Sequence, residues 1–306
     1  MADQTVLNLE DAVKKVLTEM GVSQTDLLYK KELDKLQDIH DLENEKRPKK
    51  AHRFSFNGVD LAEPNKEYIS IIPIHDIHLG AINANKEKFK AYLKYICETE
   101  DTYTIALGDL IENATKCSVG LGIFETEYHI DEQIEETIEL LRPLAEKKKI
   151  LGIMPGNHEY RTMKLVSMDP MKIVADRLGI PYLGWSGYLI FEVGDQMYKV
   201  FCFHGASSSS TPAGRLNSIR KLRDVAHNMD LYLMGHVHSR QYDKDMVYDI
   251  DEKTGEIIAK KRHYVIGGSL LSYFGSYAEM KGLSPAEQGL VRIDLYKDKF
   301  HIHVHI

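Results

Sequence analysis

The chain has 306 residues, of which 43% are hydrophobic and 28% are charged, a composition that is ordinary for a globular protein. Its formal net charge of −7 gives no support for a nucleic-acid partner, although a local basic patch or bound divalent cations could still create one. Three cysteines without a short spacing favour reduced thiols over a disulfide framework or a thiolate zinc site. We find neither a signal-peptide pattern nor an apolar run of about 18 residues, so we expect a cytoplasmic protein with no membrane span.

Residues 1–62 are predicted to form an N-terminal helical appendage and linker, followed by a larger domain at residues 63–306. Apolar residues recur at helical spacing from Leu9 to Met20, and a second helical stretch begins near Ser23. That stretch ends in a basic cluster around Pro48, for which a solvated linker is favoured over contact with nucleic acid. The helices could support a homo-oligomer, but their irregular heptad spacing does not indicate a coiled coil.

The sequence changes character from Tyr68, where short apolar runs begin to alternate with amphipathic segments. We predict strands at Tyr68–His75, Tyr103–Leu107 and Ile150–Met154, with helices at Lys86–Cys97 and Glu132–Glu146. This β-α-β-α-β order is typical of a layered α/β domain.

The chain becomes richer in strands after Gly187. Further strands are predicted at Tyr188–Val193, Gln196–His204, Leu231–Met234, His263–Ile266, Leu290–Leu295 and Phe300–Ile306. Between them lies a predicted helix, Arg215–Ala226, whose basic residues could contact a nucleic-acid backbone or simply form a solvated face. Aromatic residues at Tyr273, Phe274 and Tyr277 could stack on bases or pack in the core.

Five short polar motifs each follow a predicted strand. They supply carboxylate, amide and imidazole groups, which are the ligands of divalent transition metals in proteins. Ligands gather where strands of an open α/β sheet end, so we expect these side chains to meet there. Residues two apart on a strand share a face, which would pair the two ligands of the first and last motifs. The motifs are Asp76-Ile77-His78, Gly108-Asp109, Gly156-Asn157-His158-Glu159, His204-Gly205 and Gly235-His236-Val237-His238.

A single motif of this kind is weak, because Asp38-Ile39-His40 is a second D-x-H copy inside the predicted N-terminal helix. Five motifs in order at strand ends are specific. Together they resemble the calcineurin-like metallophosphoesterases, whose pattern is D-x-H, G-D-x-x-[DE], G-N-H-[DE], a lone H and G-H-x-H. The resemblance covers roughly residues 68–270 and implies a four-layer α/β/β/α sandwich with two divalent metal ions at one rim.

The resemblance also implies a role for each site residue. The first metal would be held by Asp76, His78, Asp109 and His238. The second metal would be held by Asp109, Asn157, His204 and His236, with Asp109 bridging the two. By the same resemblance His158 is a catalytic residue that faces the phosphate, and Glu112 orients it. We expect two divalent ions, most simply manganese, and the ligand set also accepts iron, zinc or nickel.

Two-metal chemistry then implies that a metal-bridging hydroxide attacks the phosphorus. By the same resemblance, the substrate would be a phosphate ester. Asn113 stands where protein Ser/Thr phosphatases carry a phosphate-clamping arginine, and the plain motif set is similar to the nuclease and phosphodiesterase branch of phages and bacteria. Tyr160 and Arg161 follow His158 and are candidates for substrate binding.

Three functions stay open at this point. The favoured one is hydrolysis of phosphodiester bonds in DNA, RNA or a nucleotide. The second is a phosphomonoesterase acting on nucleotides or proteins. The third is an inactive metal-binding scaffold that works through its N-terminal helices.

Overall fold

Two β-sheets packed face to face form the centre of the described chain. The six-stranded sheet has the order β1-β5-β6-β7-β9-β8, and the five-stranded sheet has the order β11-β10-β2-β3-β4. The strands are β1 (His52–Ser55), β2 (Tyr68–Ile71), β3 (Thr102–Ala106), β4 (Ile150–Ile153), β5 (Ser186–Val193), β6 (Gln196–Phe203), β7 (Leu231–Met234), β8 (Gln241–Ile250), β9 (Ile257–Ile266), β10 (Arg292–Tyr296) and β11 (Ile302–His305).

The computed structural model describes Lys35 and residues 50–56, 67–116, 118, 126–207, 209–251, 253–275, 277–282 and 284–306. Apart from Lys35, which is helical, the predicted N-terminal helices lie outside the described residues, and so does Asp38-Ile39-His40.

Parallel pairing sets the direction of the strands that lead to the polar motifs. Strands β2, β3 and β4 run parallel to one another, as do β6, β7 and β9. Strand β4 is buried at all four positions, as expected for a parallel strand covered on both faces. The carboxyl ends of these strands therefore open onto a common edge of each sheet.

Helices cover the outer face of each sheet. The α-helices of the described residues are α1 (Lys86–Glu98), α2 (Ile130–Glu146), α3 (Asn157–Val166), α4 (Pro170–Leu178), α5 (Pro212–Arg220) and α6 (Tyr277–Met280). Local signals fix their ends: Asn85 Oδ1 accepts the Lys88 N–H at 3.0 Å, and Asp169 caps α4, which stops at Gly179 with φ +65°. No helix among the described residues is long and apolar enough to cross a membrane.

Three apolar clusters hold four layers together. The first lies between the sheets and joins residues such as Ile105 and Leu151 to Phe191 and Leu233. The second packs α1, α2 and α4 onto the five-stranded sheet. The third packs Ile219 of α5 against the six-stranded sheet. The predicted α/β/β/α sandwich is therefore confirmed.

Most predicted strands and helices match an observed element within a few residues, but three differ. The strand predicted at Tyr68–His75 ends at Ile71. The helix predicted at Arg215–Ala226 is α5 followed by a 3-10 turn, Lys221–Asp224. The strand predicted at His263–Ile266 is only the end of β9, which forms a long hairpin with the unpredicted β8. The outer half of that hairpin faces solvent and carries many charged residues, so its apolar signal was weak.

Strand β1 lies inside the range predicted as appendage and linker, yet it pairs in parallel with β5. Phe56 follows it and packs on Tyr103, with ring centroids 4.8 Å apart, and on Phe191. The larger compact unit of the chain accordingly comprises Ala51–Ile306. A four-residue strand with alternating polar residues gives too little pattern to be found from sequence.

Deleting residues 1–62 is expected to destabilise the α/β unit more than deleting residues 1–50. The longer deletion removes β1 and the buried Phe56 side chain, whose burial contributes roughly 2 kcal/mol. Urea unfolding of the two truncated chains measures the difference, and Phe56→Ala in the full chain separates the side chain from the strand. Equal unfolding midpoints for the two deletions would show that β1 adds nothing to stability.

Candidate metal centre

All seven predicted metal ligands meet at the edge where β2, β3, β4, β6 and β7 end. Six of them, together with His158, form three overlapping groups within which every donor atom lies within 4.8 Å of the others. The groups are Asp76–His78–His238, His78–Asp109–His158 and Asp109–His204–His236. Asn157 joins the last group, because its Oδ1 lies 3.1 Å from His204 Nε2 and 2.7 Å from His236 Nδ1.

The first group lies around Asp76. His238 Nε2 is 3.4 Å from Asp76 Oδ1, and His78 Nε2 is 3.4 Å from His238 Nε2. His78 Nε2 is also 3.9 Å from Asp109 Oδ2, and that same oxygen is 3.2 Å from His204 Nε2. Asp109 therefore lies between His78 and His204, where a bridging ligand would have to be.

The backbone conformation at the ligands, rather than the alternation of side chains along a strand, sets the directions of these side chains. Five of the seven residues have φ between 49° and 69°, in the left-handed region: Asp76, His78, Asp109, His236 and His238. Such conformations are uncommon for residues other than glycine and cluster at functional sites. The prediction that alternation along a strand pairs the ligands was wrong in its reason, because β2 ends at Ile71 and β7 ends at Met234, before the ligands begin.

Two buried carboxylates stay ionised within the centre. Burial alone would raise the pKa of Asp76 and of Asp109, but the surrounding histidines hold both well below the usual range. Burial would likewise lower the pKa of His204, yet the adjacent Asp109 carboxylate raises it to about 10. The two carboxylates therefore hold positive charge beside them, a role that a bound cation would take over.

The donor set fits divalent metal ions. Asp76 Oδ2 accepts hydrogen bonds from His75 Nδ1 and from the His236 backbone N–H, both at 2.7 Å. Asp76 Oδ1 is buried and makes no hydrogen bond, although such an atom normally has a partner. A cation bound beside it would supply that partner.

Hydrogen-bond acceptors on the far side of the His204 and His78 rings hold these rings in the orientation that metal ligation requires. His204 Nδ1 lies 2.7 Å from the Leu107 carbonyl oxygen, and His78 Nδ1 lies 3.0 Å from Glu112 Oε2. A proton held on each Nδ1 leaves the Nε2 lone pair facing the centre, as second-shell acceptors do in metal sites. Burial and the nearby His158 lower the pKa of His78, which favours its neutral, ligating form.

His158 lies at the open side of the centre. Its Nδ1 is 2.8 Å from the Glu112 carbonyl oxygen and 3.3 Å from Glu112 Oε2. The predicted orienting residue therefore contacts His158 through its backbone as well as its carboxylate, and that carboxylate also contacts His78. Burial lowers the pKa of His158, whereas Asp109 and Glu112 raise it, and the net shift is upward.

The two candidates for substrate binding lie on different sides of α3. Arg161 Nη2 is 2.8 Å from His158 Nε2, and its Nη1 is 3.2 Å from Glu112 Oε1. Tyr160 is half-exposed, and its ring packs against Trp185. Trp185 was not among the predicted site residues.

Glu159 is a buried residue whose role the sequence did not reveal. Its carboxylate accepts backbone N–H groups from Asp109 and Leu110 at 2.9 Å, from Ile111 at 3.2 Å and from Gly156 at 2.7 Å. It thereby ties the loop after β3 to the start of α3. Burial and the adjacent Asp109 carboxylate raise the pKa of Glu159 to about 7. Only glycine fits at position 156, since a Cβ there would lie 2.2 Å from Asp109 Oδ1.

Asn113 has a structural role at the same junction. Its Nδ2 donates to the His158 carbonyl oxygen at 2.6 Å, and its Oδ1 accepts from Thr162 Oγ1 at 2.5 Å. The side chain is fully buried. It therefore holds the backbone of His158 in place and does not face the open side of the centre.

The basic residues after β6 are largely paired. Arg220 bonds to Asp243, Arg223 Nη1 lies 3.4 Å from Asp245 Oδ2, and Arg215 Nε donates to the Ser209 carbonyl oxygen at 3.2 Å. The Asp243 and Asp245 carboxylates therefore neutralise part of the positive charge considered for a nucleic-acid backbone, whereas Arg215 keeps its charge.

Two solved structures illustrate the distant similarity of this chain to proteins of known structure. A conserved protein from Streptococcus pneumoniae TIGR4, described as a predicted phosphoesterase, is 14% identical; the match covers 78% of this chain and 90% of that one, with a TM-score of 0.37. A hypothetical protein from Pyrococcus horikoshii OT3 is 12% identical, with coverages of 78% and 86% and a TM-score of 0.38. These scores are too low to carry an argument. No curated protein matches the chain in sequence.

The family model for the calcineurin-like phosphoesterases matches residues 69–268, a range that contains every residue of the metal centre. Families of this kind bind divalent metals, which agrees with the His and Asp clusters described above. Because the match spans more than half of the 306 residues, this chain belongs to the calcineurin-like phosphoesterase family.

Proposed function

We propose that this chain is a two-metal phosphodiesterase that hydrolyses a phosphodiester bond in a nucleic acid or a nucleotide. The observation that carries the proposal is the convergence of seven oxygen and nitrogen donors at one edge of the sheets, including a buried Asp76 oxygen that makes no hydrogen bond. Asp76, His78, Asp109 and His238 would hold one cation, and Asp109, Asn157, His204 and His236 would hold the other. When bound, two divalent cations supply Lewis acidity to the phosphate and make water acidic enough to attack near neutral pH.

The protein itself positions the groups that act on the ester. The Glu112 carbonyl fixes the His158 ring, and the Asp109 carboxylate accepts the His158 backbone N–H at 2.8 Å. Asn113 holds the His158 carbonyl from the other side. His158 so held would donate a proton to the leaving oxygen or stabilise its charge.

The charge of the surroundings supports a diester over a monoester. A phosphomonoester carries a charge of about −1.5 to −2 at neutral pH, whereas a diester carries one. Neither of the two positions considered for a cationic phosphate clamp offers an unpaired cation. Residue 113 is a buried, uncharged asparagine, and Arg161 is paired with the Glu112 carboxylate. We infer that the second charge of a monoester lacks a guanidinium partner here.

The first prediction concerns substrate preference. Reloaded with manganese after chelation, the chain is expected to hydrolyse bis-p-nitrophenyl phosphate with a higher kcat/KM than p-nitrophenyl phosphate, because the diester needs no second cationic contact. Release of p-nitrophenol measures both rates, and the chelated protein is the control, expected to be inactive. Preference for the monoester would instead indicate a phosphomonoesterase, and turnover of neither ester with two metals bound would indicate a scaffold.

His158→Ala is expected to keep two metal ions per chain and to lower kcat on the diester by about 10²- to 10⁴-fold, the usual contribution of a general acid. Metal content and single-substrate kinetics measured on the same preparation separate the two effects. Asp109→Ala is the contrasting variant, because it should lose metal together with activity. A fully active His158→Ala enzyme would rule out the proposed role.

Glu159→Gln is expected to weaken metal binding by about 10- to 100-fold, the range observed for residues that support metal ligands. The amide nitrogen of glutamine would face backbone N–H groups that now donate to a carboxylate oxygen. Titration of the metal-free variant with manganese, followed by metal content, measures the effect. The exposed Glu256→Gln variant serves as a control of equal charge change, and equal affinities in the two variants would contradict the proposed support of the ligand loops.

A further inference from the structure

Two half-exposed aromatic rings lie against each other near the metal centre. Tyr160 and Trp185 are each 48% exposed, and their ring centroids are 5.4 Å apart at an interplanar angle of 79°. Trp185 is the single tryptophan of the chain. Large aromatic side chains usually bury most of their surface, so a pair that presents ring surface to solvent is available to a ligand.

The position of Tyr160 on α3 places it beside one ligand of the metal centre. Helix α3 begins at Asn157, and Tyr160 is three residues further on. Residues three apart on a helix are neighbours on the same face. Tyr160 therefore adjoins Asn157, while His158 and Arg161 form the neighbouring i, i+3 pair that contacts Glu112.

The register of the six-stranded sheet places Trp185 beside another ligand. Strands β5 and β6 are antiparallel, and Ser186 pairs with Phe203 at the end of the ladder. Trp185 directly precedes Ser186, and His204 directly follows Phe203. Trp185 and His204 thus leave the same end of the same pair of strands.

These two placements are independent and converge on one location. Asn157 Oδ1 and His204 Nε2 are 3.1 Å apart, so the residues adjoining Tyr160 and Trp185 are themselves in contact. The aromatic pair consequently borders the Asp109–His204–His236 group, on the rim where a phosphate ester would project its organic part.

We propose that Tyr160 and Trp185 form a subsite that stacks a nucleobase of the substrate. The inference rests on the proposed function, because it takes the phosphate to lie at the metal centre. Flat ring surfaces suit a planar base, and stacking on aromatic side chains accepts every base since each has a π face. The subsite therefore selects a base-bearing diester without selecting its sequence.

Trp185 provides its own reporter of base binding. The metal-loaded full chain is titrated with two phosphonates whose methylene group blocks hydrolysis, one the analogue of adenosine 5′-monophosphate and the other of ribose 5-phosphate. We expect the adenosine compound to quench Trp185 fluorescence saturably and to bind about tenfold more tightly than the ribose compound, as base stacking generally provides. Equal affinities for the two compounds would overturn the inference.

Variants identify the rings responsible. Tyr160→Ala should bring the ratio of the two affinities close to one, whereas Tyr160→Phe, which keeps the ring, should retain it. Trp185→Ala, followed by calorimetry because it lacks the reporter, should lose the ratio as well. The matched control is Phe274→Ala, which removes a ring that is 80% exposed in the other aromatic segment; loss of the ratio in that variant instead of Tyr160→Ala would place the base elsewhere and refute the subsite.

The outcome is separable from that of the proposed function. Preference for the adenosine compound in a chain that hydrolyses no diester would support the subsite and refute the diesterase. Diester hydrolysis without that preference would support the diesterase and refute the subsite.

Discussion

The burial of negative charge at one edge of two sheets is the constraint on which this structure depends. Asp76, Asp109 and Glu159 are all buried, and a carboxylate out of water is tolerated only when it is paired, hydrogen-bonded or bound to a cation. Histidine pairs with the Asp109 carboxylate, and backbone N–H groups donate hydrogen bonds to the Glu159 carboxylate. Asp76 keeps one oxygen without a hydrogen bond, and the arrangement around it fits a bound cation.

The same constraint explains the unusual backbone of the ligand loops. Residues in the left-handed region cost of order 1–3 kcal/mol each and persist only where the surrounding structure over-determines them. Here the loops are fixed between two well-packed sheets, and Glu159 ties two of them together through four N–H groups. The apolar clusters on either side of the sheets thus stabilise a site that would not hold its shape alone.

The layered fold and the convergence of the candidate ligands could be predicted because their signals are local: short apolar runs and motifs at strand ends. Strand β1 could not, since four residues at the edge of a sheet carry little pattern. The left-handed conformations at Asp76 and His236 could not be predicted from the sequence either, because tertiary contacts impose them. Trp185 was missed for a different reason. It lies beside Tyr160 only because of the register of β5 on β6, and the spacing of the two residues in the sequence does not indicate this contact.

The shared position of Asp109 has a consequence for how the centre fills. Asp109 belongs to two of the three groups of donors, so in the proposed two-metal centre the first cation to arrive would change the charge and the order that the second one meets. The two occupancies are then thermodynamically linked, and by reciprocity each ion alters the affinity for the other by the same factor. Neutralising Asp109 disfavours the second ion, while ordering the loops around it favours the second ion. The sign of the cooperativity between the two ions therefore reports which of charge and order dominates in this centre.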